Sequence, residues 1–223
     1  MLGDRTTTTE PILYSFRRCP YAMRARMAIA SSGQSCSLRE VVLSKKPREM
    51  ILISPKGTVP VIVLPEGDVI EESLQIMYWA LEKNDPERWL KPLHTNPDGL
   101  DALIAENDGP FKHNLDQYKY SSHYTNSDPL YCRDQGLEFL EKLNLRLNKT
   151  KYLFGNEFSV ADAAISPFVR QFANTDRKWF DTRKISQVHR WLKEILNSDR
   201  FLNVMYKYPA WESGGNEVVF PPT

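Results

Sequence analysis

The chain has 223 residues, of which 41% are hydrophobic and 26% charged, a composition typical of globular proteins with one large core or two small ones. Its formal net charge of +1 argues against binding nucleic acid by electrostatics alone, which needs a strongly basic face. Residues 59–64, the longest apolar run of the first half, are too few to span a membrane, and the N-terminus lacks the apolar core of a signal peptide. We therefore expect neither a nucleic acid nor a membrane as a partner.

The first half of the chain alternates short apolar segments with helical patterns. Strands are predicted at 12–16, 37–43, 59–64 and 69–70, and helices are predicted to begin at Pro20, Pro47 and Ser73. Proline suits the first helical position, because the N–H group that it lacks has no partner there in any case. The predicted order is β-α-β-α-β-β-α, and we expect residues 10–84 to form a domain of their own.

Strand signals stop after residue 84. Residues 85–97 contain three prolines and are predicted to be a linker. The patterns that follow are helical, at roughly 98–120, 128–149, 159–174 and 184–206. We therefore expect an all-α domain over residues 98–210 and a tail at 211–223, which makes the whole chain an α+β protein.

The cysteines and histidines limit the kinds of site that the chain can hold. Cys19, Cys36 and Cys132 are odd in number and widely separated, which fits free thiols in a reducing compartment better than disulfides. We therefore expect a cytoplasmic protein. The four histidines are scattered, and no CxxC pair or Cys/His cluster has the spacing of a zinc site, so we expect no metal.

Cys19 is the candidate reactive residue, since it lies after a predicted strand and just before the helix opened by Pro20. Unpaired N–H groups and the helix dipole favour a thiolate there and lower the pKa of the thiol. The four arginines at 17, 18, 24 and 26 would add to this effect if they lie near the sulfur. The alternative, a half-buried small residue, is disfavoured by this setting, although we expect it for Cys36 and Cys132. No second cysteine follows three residues on, so a mixed disulfide at Cys19 would need an external thiol to resolve it.

The segment YSFRRCPYAMRARMAIA resembles the first strand and helix of omega-class and related bacterial glutathione transferases, where a CPxA motif carries the active cysteine. The similarity continues through LSKKP, KGTVPVIVL and VIEES, resumes at FSVADAAISPF, and covers about residues 10–205. The resemblance implies a cysteine-type glutathione transferase with a CPYA motif. It also implies an N-terminal thioredoxin-like domain followed by an all-α helical bundle, glutathione as co-substrate, and a homodimer.

The resemblance also implies which residues hold glutathione. The bond between Val59 and Pro60 is expected to be cis and to present the Val59 backbone to the cysteinyl part of the peptide. Glu72 is expected to pair with the γ-glutamyl ammonium, while the hydroxyl of Ser73 and the helix N-terminus hold its carboxylate. Ser73 is also a natural N-cap. An ordinary trans proline at the start of an edge strand is the alternative reading of Pro60.

Three further positions match the family's glutathione site. Lys46 occupies the position that reaches the glycine carboxylate, although a solvated surface lysine is an equal alternative. Leu43 and Tyr21 are expected to line the site by backbone or ring contacts. Other classes of the family use a tyrosine or serine near the end of the first strand. Here Tyr14 and Ser15 fall inside the predicted strand, and we interpret them as strand residues.

The second domain carries one folding element and a set of candidate substrate contacts. Ser159 and Asp162 have the spacing of a capping box, with Phe158 before it as a hydrophobic staple, so Asp162 is interpreted as structural and not as a catalytic acid. Aromatic residues are dense in this half, and most of them are expected to be core. Tyr118 and Trp179 are our candidates for an acceptor pocket.

Three functions remain open on the sequence. The first is glutathione-dependent thiol–disulfide exchange through Cys19, acting on a glutathionylated or small disulfide substrate. The second is conjugation of glutathione to small apolar electrophiles, with Cys19 and nearby donors stabilising the glutathione thiolate. The third is a non-catalytic module that uses the same fold to bind a protein partner.

Overall fold

The computed structural model describes residues 9–124 and 128–222. Within them the predicted order β-α-β-α-β-β-α is confirmed. The elements are β1 (Ile12–Ser15), α1 (Pro20–Ser32), β2 (Cys36–Glu40), α2 (Arg48–Ile53), β3 (Val61–Val63), β4 (Val69–Ile70) and α3 (Ser73–Lys83). Helix α1 ends at Gly33, whose φ of 68° is the left-handed conformation that glycine adopts without a side-chain clash.

These strands and β5 (Val218–Phe220), near the end of the chain, form one sheet with the order β4-β3-β1-β2-β5. Strand β1 is parallel to β2 and antiparallel to β3, which pairs antiparallel with β4. Ile12 and Tyr14 project from β1 into a buried cluster that includes Met50 of α2 and Val59, and Cys19 packs against this cluster. The core on this side of the sheet therefore supports both Cys19 and Val59.

The end of the chain adds a fifth strand that the sequence did not predict. Strand β5 (Val218–Phe220) pairs antiparallel with β2. Before it, the N–H of Trp211 donates to the carbonyl of Glu40 at 2.9 Å. The Trp211 indole lies edge-on to Tyr14 at 6.2 Å between ring centroids, and the Arg39 guanidinium lies 4.2 Å from its centroid. The segment predicted as a tail is thus built into the sheet.

The chain divides into two compact units. The first contains the described parts of residues 1–86 and 199–223, and the second is residues 87–198. The sequence placed residues 98–210 in the helical domain and 211–223 in a tail. In the structure the chain rejoins the first unit at residue 199, because helix α11 (Asp199–Val204) packs on α1 and β5 pairs with β2.

The described residues of the second unit are helical. The helices are α4 (Lys91–Thr95), α5 (Pro97–Glu106), a π-helix (Asn107–Phe111), α6 (Lys112–Lys119), a 3₁₀ helix (Ser121–His123), α7 (Pro129–Leu147), α8 (Val160–Ala173), α9 (Arg177–Asp181) and α10 (Ser186–Leu196). Part of the predicted linker is therefore helical. In the parts of the chain that the structure describes, none of the helices has the length and apolar character needed to cross a bilayer.

Helix α8 begins with the predicted capping box, in which Ser159 and Asp162 bond reciprocally. Asp162 is fully buried, and burial raises the pKa of its carboxyl group. Its Oδ1 accepts from the N–H of Leu153 at 3.0 Å and from Trp191 Nε1 at 2.8 Å, and its Oδ2 accepts from the Ser159 N–H at 3.0 Å and hydroxyl at 2.8 Å. These bonds oppose the effect of burial and show that Asp162 joins three segments of the second unit. Phe158 packs on Trp89, with 4.9 Å between the ring centroids.

Candidate functional site around Cys19

Cys19 occupies the N-cap position of α1, where the sequence placed it. Its φ of −76° and ψ of 123° are extended, and Pro20 is the first helical residue. The Cys19 carbonyl accepts from the N–H of Met23 at 2.9 Å, and its own N–H donates to the carbonyl of Phe16 at 2.9 Å. The thiol is partly buried and donates to the carbonyl of Val59 at 3.6 Å. The sulfur therefore lies at the N-terminus of a helix, beside the backbone that precedes Pro60.

The Val59–Pro60 peptide bond is cis, as the resemblance implied. Val59 is 8% exposed and belongs to the same buried cluster as Tyr14, while β3 begins directly after Pro60. This arrangement brings two of the predicted site residues, Cys19 and Val59, into direct contact.

The four arginines around Cys19 have partners of their own. The Arg17 guanidinium donates to the carbonyl of Met205 at 3.4 Å, and that of Arg18 lies over the Phe16 ring at 5.3 Å. Arg24 donates to Ser73, and Arg26 is a buried partner of Ser15 and Glu40. These contacts give the four arginines structural roles, and the helix N-terminus is the feature that favours a thiolate at Cys19.

Glu72 and Ser73 stand at the start of α3, with one correction to the sequence prediction. Ser73 is the first helical residue, and Glu72 is the N-cap. The Ser73 hydroxyl does not cap the helix; it accepts from Arg24 Nε at 3.0 Å, and Ser73 is 3% exposed. The Glu72 carboxylate is 60% exposed and forms an ion pair with Lys56.

Two adjacent acids, Glu71 and Glu72, precede Ser73, and their contacts differ. Glu71 accepts a hydrogen bond from the hydroxyl of Ser54, which is itself buried. Glu72 pairs only through an exposed lysine ammonium among the contacts described, and such a surface pair is weak and easily exchanged. Glu72 is therefore the acid of the two that a ligand can reach with less disruption.

The remaining glutathione candidates lie on exposed or half-exposed positions of the first unit. Lys46 is exposed, and its Nζ lies 3.7 Å from the position that a Cβ would take at Gly57, two residues before Val59. Leu43 is 44% exposed in a tight turn. Tyr21 is half-buried, and its ring lies 5.0 Å from the Arg24 guanidinium.

Tyr14 and Ser15 are strand residues, as the sequence indicated. Both are fully buried in β1. The Tyr14 hydroxyl accepts from Arg39 Nη1 at 2.7 Å, and the Ser15 hydroxyl accepts from Arg26 Nε at 2.8 Å. Burial raises the pKa of Tyr14, so its hydroxyl stays protonated at neutral pH.

Tyr118 and Trp179 meet in the second unit, on the buried ring of Phe172. The distances between ring centroids are 5.5 Å for Tyr118 and 6.1 Å for Trp179. The Trp179 ring also has two guanidinium groups within reach, those of Arg133 at 4.4 Å and Arg183 at 4.9 Å. Both rings are half-buried, so the two candidates belong to one aromatic cluster.

The other two cysteines have the inert settings that the sequence indicated. Cys36 is fully buried in β2, and burial raises its pKa to about 12. Cys132 is buried in α7, and burial raises its pKa as well. Among residues 9–124 and 128–222, no group of three or more histidine, cysteine, aspartate and glutamate side chains could hold a metal ion.

Sequence reasoning missed Arg24 and Lys56 as partners of the Ser73–Glu72 pair. Both residues lie in recognised motifs. The sequence does not indicate, however, that Arg24 bonds to a residue 49 positions away or that Lys56 pairs with one 16 positions away. The packing of α1 against α3 supplies the missing information for Arg24.

Two family models match the chain. Residues 13–89 match "Glutathione S-transferase, N-terminal domain", and residues 100–194 match "Glutathione S-transferase, C-terminal domain". A probable glutathione transferase of Aplysia californica is 40% identical over 75 residues, which are 34% of this chain and 82% of the relative. The chain belongs to the glutathione S-transferase family.

Relatives of two kinds align with this glutathione S-transferase over different lengths of the chain. The maleylacetoacetate isomerase of Mus musculus is 26% identical over 201 residues, which are 86% of this chain and 90% of the relative. The glutathione S-transferase omega-1 of Rattus norvegicus is 34% identical over 80 residues, which are 36% of this chain and 33% of the relative.

Solved glutathione transferases share the fold. Omega 3C from Trametes versicolor has a TM-score of 0.71 and 20% identity, and the match covers 91% of this chain and 92% of that one. A Pseudomonas putida enzyme, solved with one glutathione disulfide bound per subunit, has a TM-score of 0.73 and 19% identity, with 88% and 90% covered. The predicted α+β fold, a thioredoxin-like domain followed by a helical domain, is confirmed.

Proposed function

We propose that this glutathione S-transferase catalyses glutathione-dependent thiol–disulfide exchange, with Cys19 as the nucleophile. The observation that carries the proposal is the position of Cys19 at the N-cap of α1. The hydrogen bond that its thiol donates to the Val59 carbonyl belongs to the protonated form and breaks when the thiol ionises. A helix N-terminus favours the thiolate, which is the form that attacks disulfides. The motif CPYA at residues 19–22 and the omega-class relatives support the same assignment.

The residues near Cys19 match the chemistry of glutathione, which has two carboxylates, one ammonium group and one thiol. Glu72 offers an exposed carboxylate for the ammonium. The Ser73 hydroxyl and the N-terminus of α3 suit the γ-glutamyl carboxylate. The Val59 backbone would hold the cysteinyl part, and Lys46 would reach the glycine carboxylate. Leu43 and Tyr21 would border the same site.

The proposed reaction consists of two thiol–disulfide exchange steps. The Cys19 thiolate attacks the glutathionyl sulfur of a glutathionylated substrate, the substrate's S–S bond breaks, and the substrate leaves as a thiolate that takes up a proton. A second glutathione, as thiolate, then attacks the mixed disulfide at Cys19. Glutathione disulfide leaves and the Cys19 thiolate is restored. The second glutathione is required because the chain has no cysteine three residues after Cys19.

A second candidate is favoured by the length of the isomerase similarity, which covers 86% of this chain. In that case the thiol of bound glutathione would add to an electrophilic carbon, either for conjugation or for a reversible isomerisation. Cys19 would then only help to stabilise the glutathione thiolate. The aromatic cluster of Tyr118 and Trp179 is our candidate for the acceptor contacts in either reaction.

The deciding experiment compares the wild-type protein with Cys19→Ser in two assays. One measures the reduction of a glutathionylated peptide, and the other measures conjugation of glutathione to chlorodinitrobenzene. We expect Cys19→Ser to abolish disulfide reduction, and Cys132→Ser to leave it unchanged because Cys132 is buried. Mass spectrometry should detect a glutathione adduct on Cys19 when the second glutathione is withheld. Full disulfide reduction by Cys19→Ser would refute the mechanism.

Two outcomes would favour the other functions. Conjugation that survives in Cys19→Ser, without disulfide reduction in the wild type, would favour the glutathione thiolate as the nucleophile. Binding of glutathione without turnover in either assay would favour a non-catalytic binding module. The proposal also includes the cytoplasmic location and the homodimer that the family resemblance implied, and analytical ultracentrifugation of the full chain tests the latter.

A further inference from the structure

Arg24 is a buried residue that contacts two of the proposed glutathione-binding residues, Ser73 and Tyr21. Its side chain lies on α1, five residues after Cys19, and the residue is only 2% exposed. Its Nε donates to the hydroxyl of Ser73 at 3.0 Å, and its guanidinium lies 5.0 Å from the centre of the Tyr21 ring. Arg24 is therefore a buried cation held directly behind the first turn of α3.

This contact fixes the role of the Ser73 hydroxyl. A guanidinium has donors and no acceptor, so Ser73 Oγ must accept from Arg24. A hydroxyl has a single proton, and the Arg24 contact leaves that proton to be donated elsewhere. A ligand group that meets Ser73 must then be a hydrogen-bond acceptor, and the N-terminal end of α3 favours an anion there.

Glu72, the next residue, has the opposite preference. Its carboxylate is exposed and already binds the ammonium of Lys56, so the group it selects is a cation. An α-amino acid head group carries a carboxylate and an ammonium on one carbon. The Arg24–Ser73 contact thus determines which of the two charged groups lies at α3 and which lies at Glu72.

We infer that Arg24 is a positioning residue that sets the Ser73 hydroxyl as a donor to the α-carboxylate of the γ-glutamyl group, an inference that rests on the proposed function. If Arg24 only held α1 to α3, its loss would weaken the binding of every ligand by the same factor. The positioning role predicts a loss that depends on the ligand's carboxylate.

The test is a comparison of variants and ligands, measured as dissociation constants by isothermal titration calorimetry on the full chain. The ligands are glutathione, an analogue without the glutamyl α-carboxylate, and an analogue without the glutamyl α-amino group. We expect Arg24→Met to weaken glutathione and the deaminated analogue about tenfold, the effect of one hydrogen bond to a charged group. The decarboxylated analogue should change less than about twofold.

Ser73→Ala should give the same pattern of dissociation constants. The double variant should lose no more affinity than either single variant, because each change disables the same hydrogen bond, from the Ser73 hydroxyl to the ligand carboxylate. Arg26→Lys is the matched control, since Arg26 is also buried on α1 and bonds to a serine, Ser15, outside the proposed site. It should lower the melting temperature and leave the ratio between the three ligands unchanged. Should Arg24→Met fail to fold, Arg24→Lys carries the test, with a smaller loss of about threefold confined to the two carboxylate ligands.

An equal loss for all three ligands in the Arg24 variants, or no loss for any, would overturn the inference. Failure of the proposed function gives a different result. Cys19→Ser would then retain full disulfide reduction, while the wild type would still bind the two ligands that have the α-carboxylate more tightly than the decarboxylated analogue. A wild type that binds glutathione and the decarboxylated analogue equally well would also refute the assignment of Ser73 and Arg24.

Discussion

Replacement of Asp162 by alanine is expected to destabilise the second unit severely. The carboxylate accepts four hydrogen bonds, from the N–H groups of Leu153 and Ser159, the Ser159 hydroxyl and the Trp191 indole, and it is fully buried. The hydroxyl can turn to another acceptor, but the three N–H donors are fixed. Each buried donor left without a partner costs about 1–3 kcal/mol. We therefore expect a loss of at least about 3 kcal/mol, a large part of a typical stability of about 5–15 kcal/mol.

Urea denaturation of Asp162→Ala, followed by far-ultraviolet circular dichroism, measures this loss. The matched control is Asp128→Ala, since Asp128 is an exposed N-cap that accepts one hydrogen bond from the N–H of Leu130 at 2.8 Å. Loss of such a cap costs about 1 kcal/mol. An equal or smaller loss of stability in Asp162→Ala than in Asp128→Ala would refute this prediction, because it would mean that the buried donors find other partners.

Three further predictions concern packing and thiol chemistry. Trp211→Ala should lower the free energy of unfolding of the first unit by about 2 kcal/mol, because the indole covers one face of the sheet; an unchanged urea midpoint would contradict this. Gly136→Ala should destabilise the second unit by about 1–2 kcal/mol, since the added methyl carbon would clash with the Phe172 ring, whereas Gly109→Ala meets no atom within 4 Å and should cost less. Cys36, with a pKa of about 12, should resist iodoacetamide at pH 9 in the native protein and react once urea unfolds it.

Local sequence signals recovered most of the first unit. Pro20 and Gly33 mark the two ends of α1 within a residue, and the order of strands and helices along the first unit followed from short apolar runs between turns. The capping box was equally visible, because Ser159 and Asp162 are only three residues apart. These features depend on neighbours in the chain, and sequence reasoning is strongest there.

The missed features depend on partners that are distant in the sequence. Strand β5 has three residues and pairs with a strand some 180 positions earlier, Phe220 opposite Cys36, so nothing local distinguishes it from a tail. Ser73 was predicted to cap α3, but a buried arginine from α1 takes its hydroxyl instead. Similarly, the sequence did not indicate that the side chains of Arg17 and Arg26 bond to the carbonyls of Met205 and Val204.

The proposed reaction requires Cys19 to be a thiolate at neutral pH, stabilised by the N-terminus of α1. The most direct measurement is the rate of iodoacetamide labelling of Cys19 between pH 4 and pH 10, resolved from Cys36 and Cys132 by peptide mass spectrometry. We expect a half-maximal rate below about pH 7.5, in the range of cysteines at helix N-termini. A half-maximal rate near about pH 8.5, that of an unperturbed thiol, would contradict it.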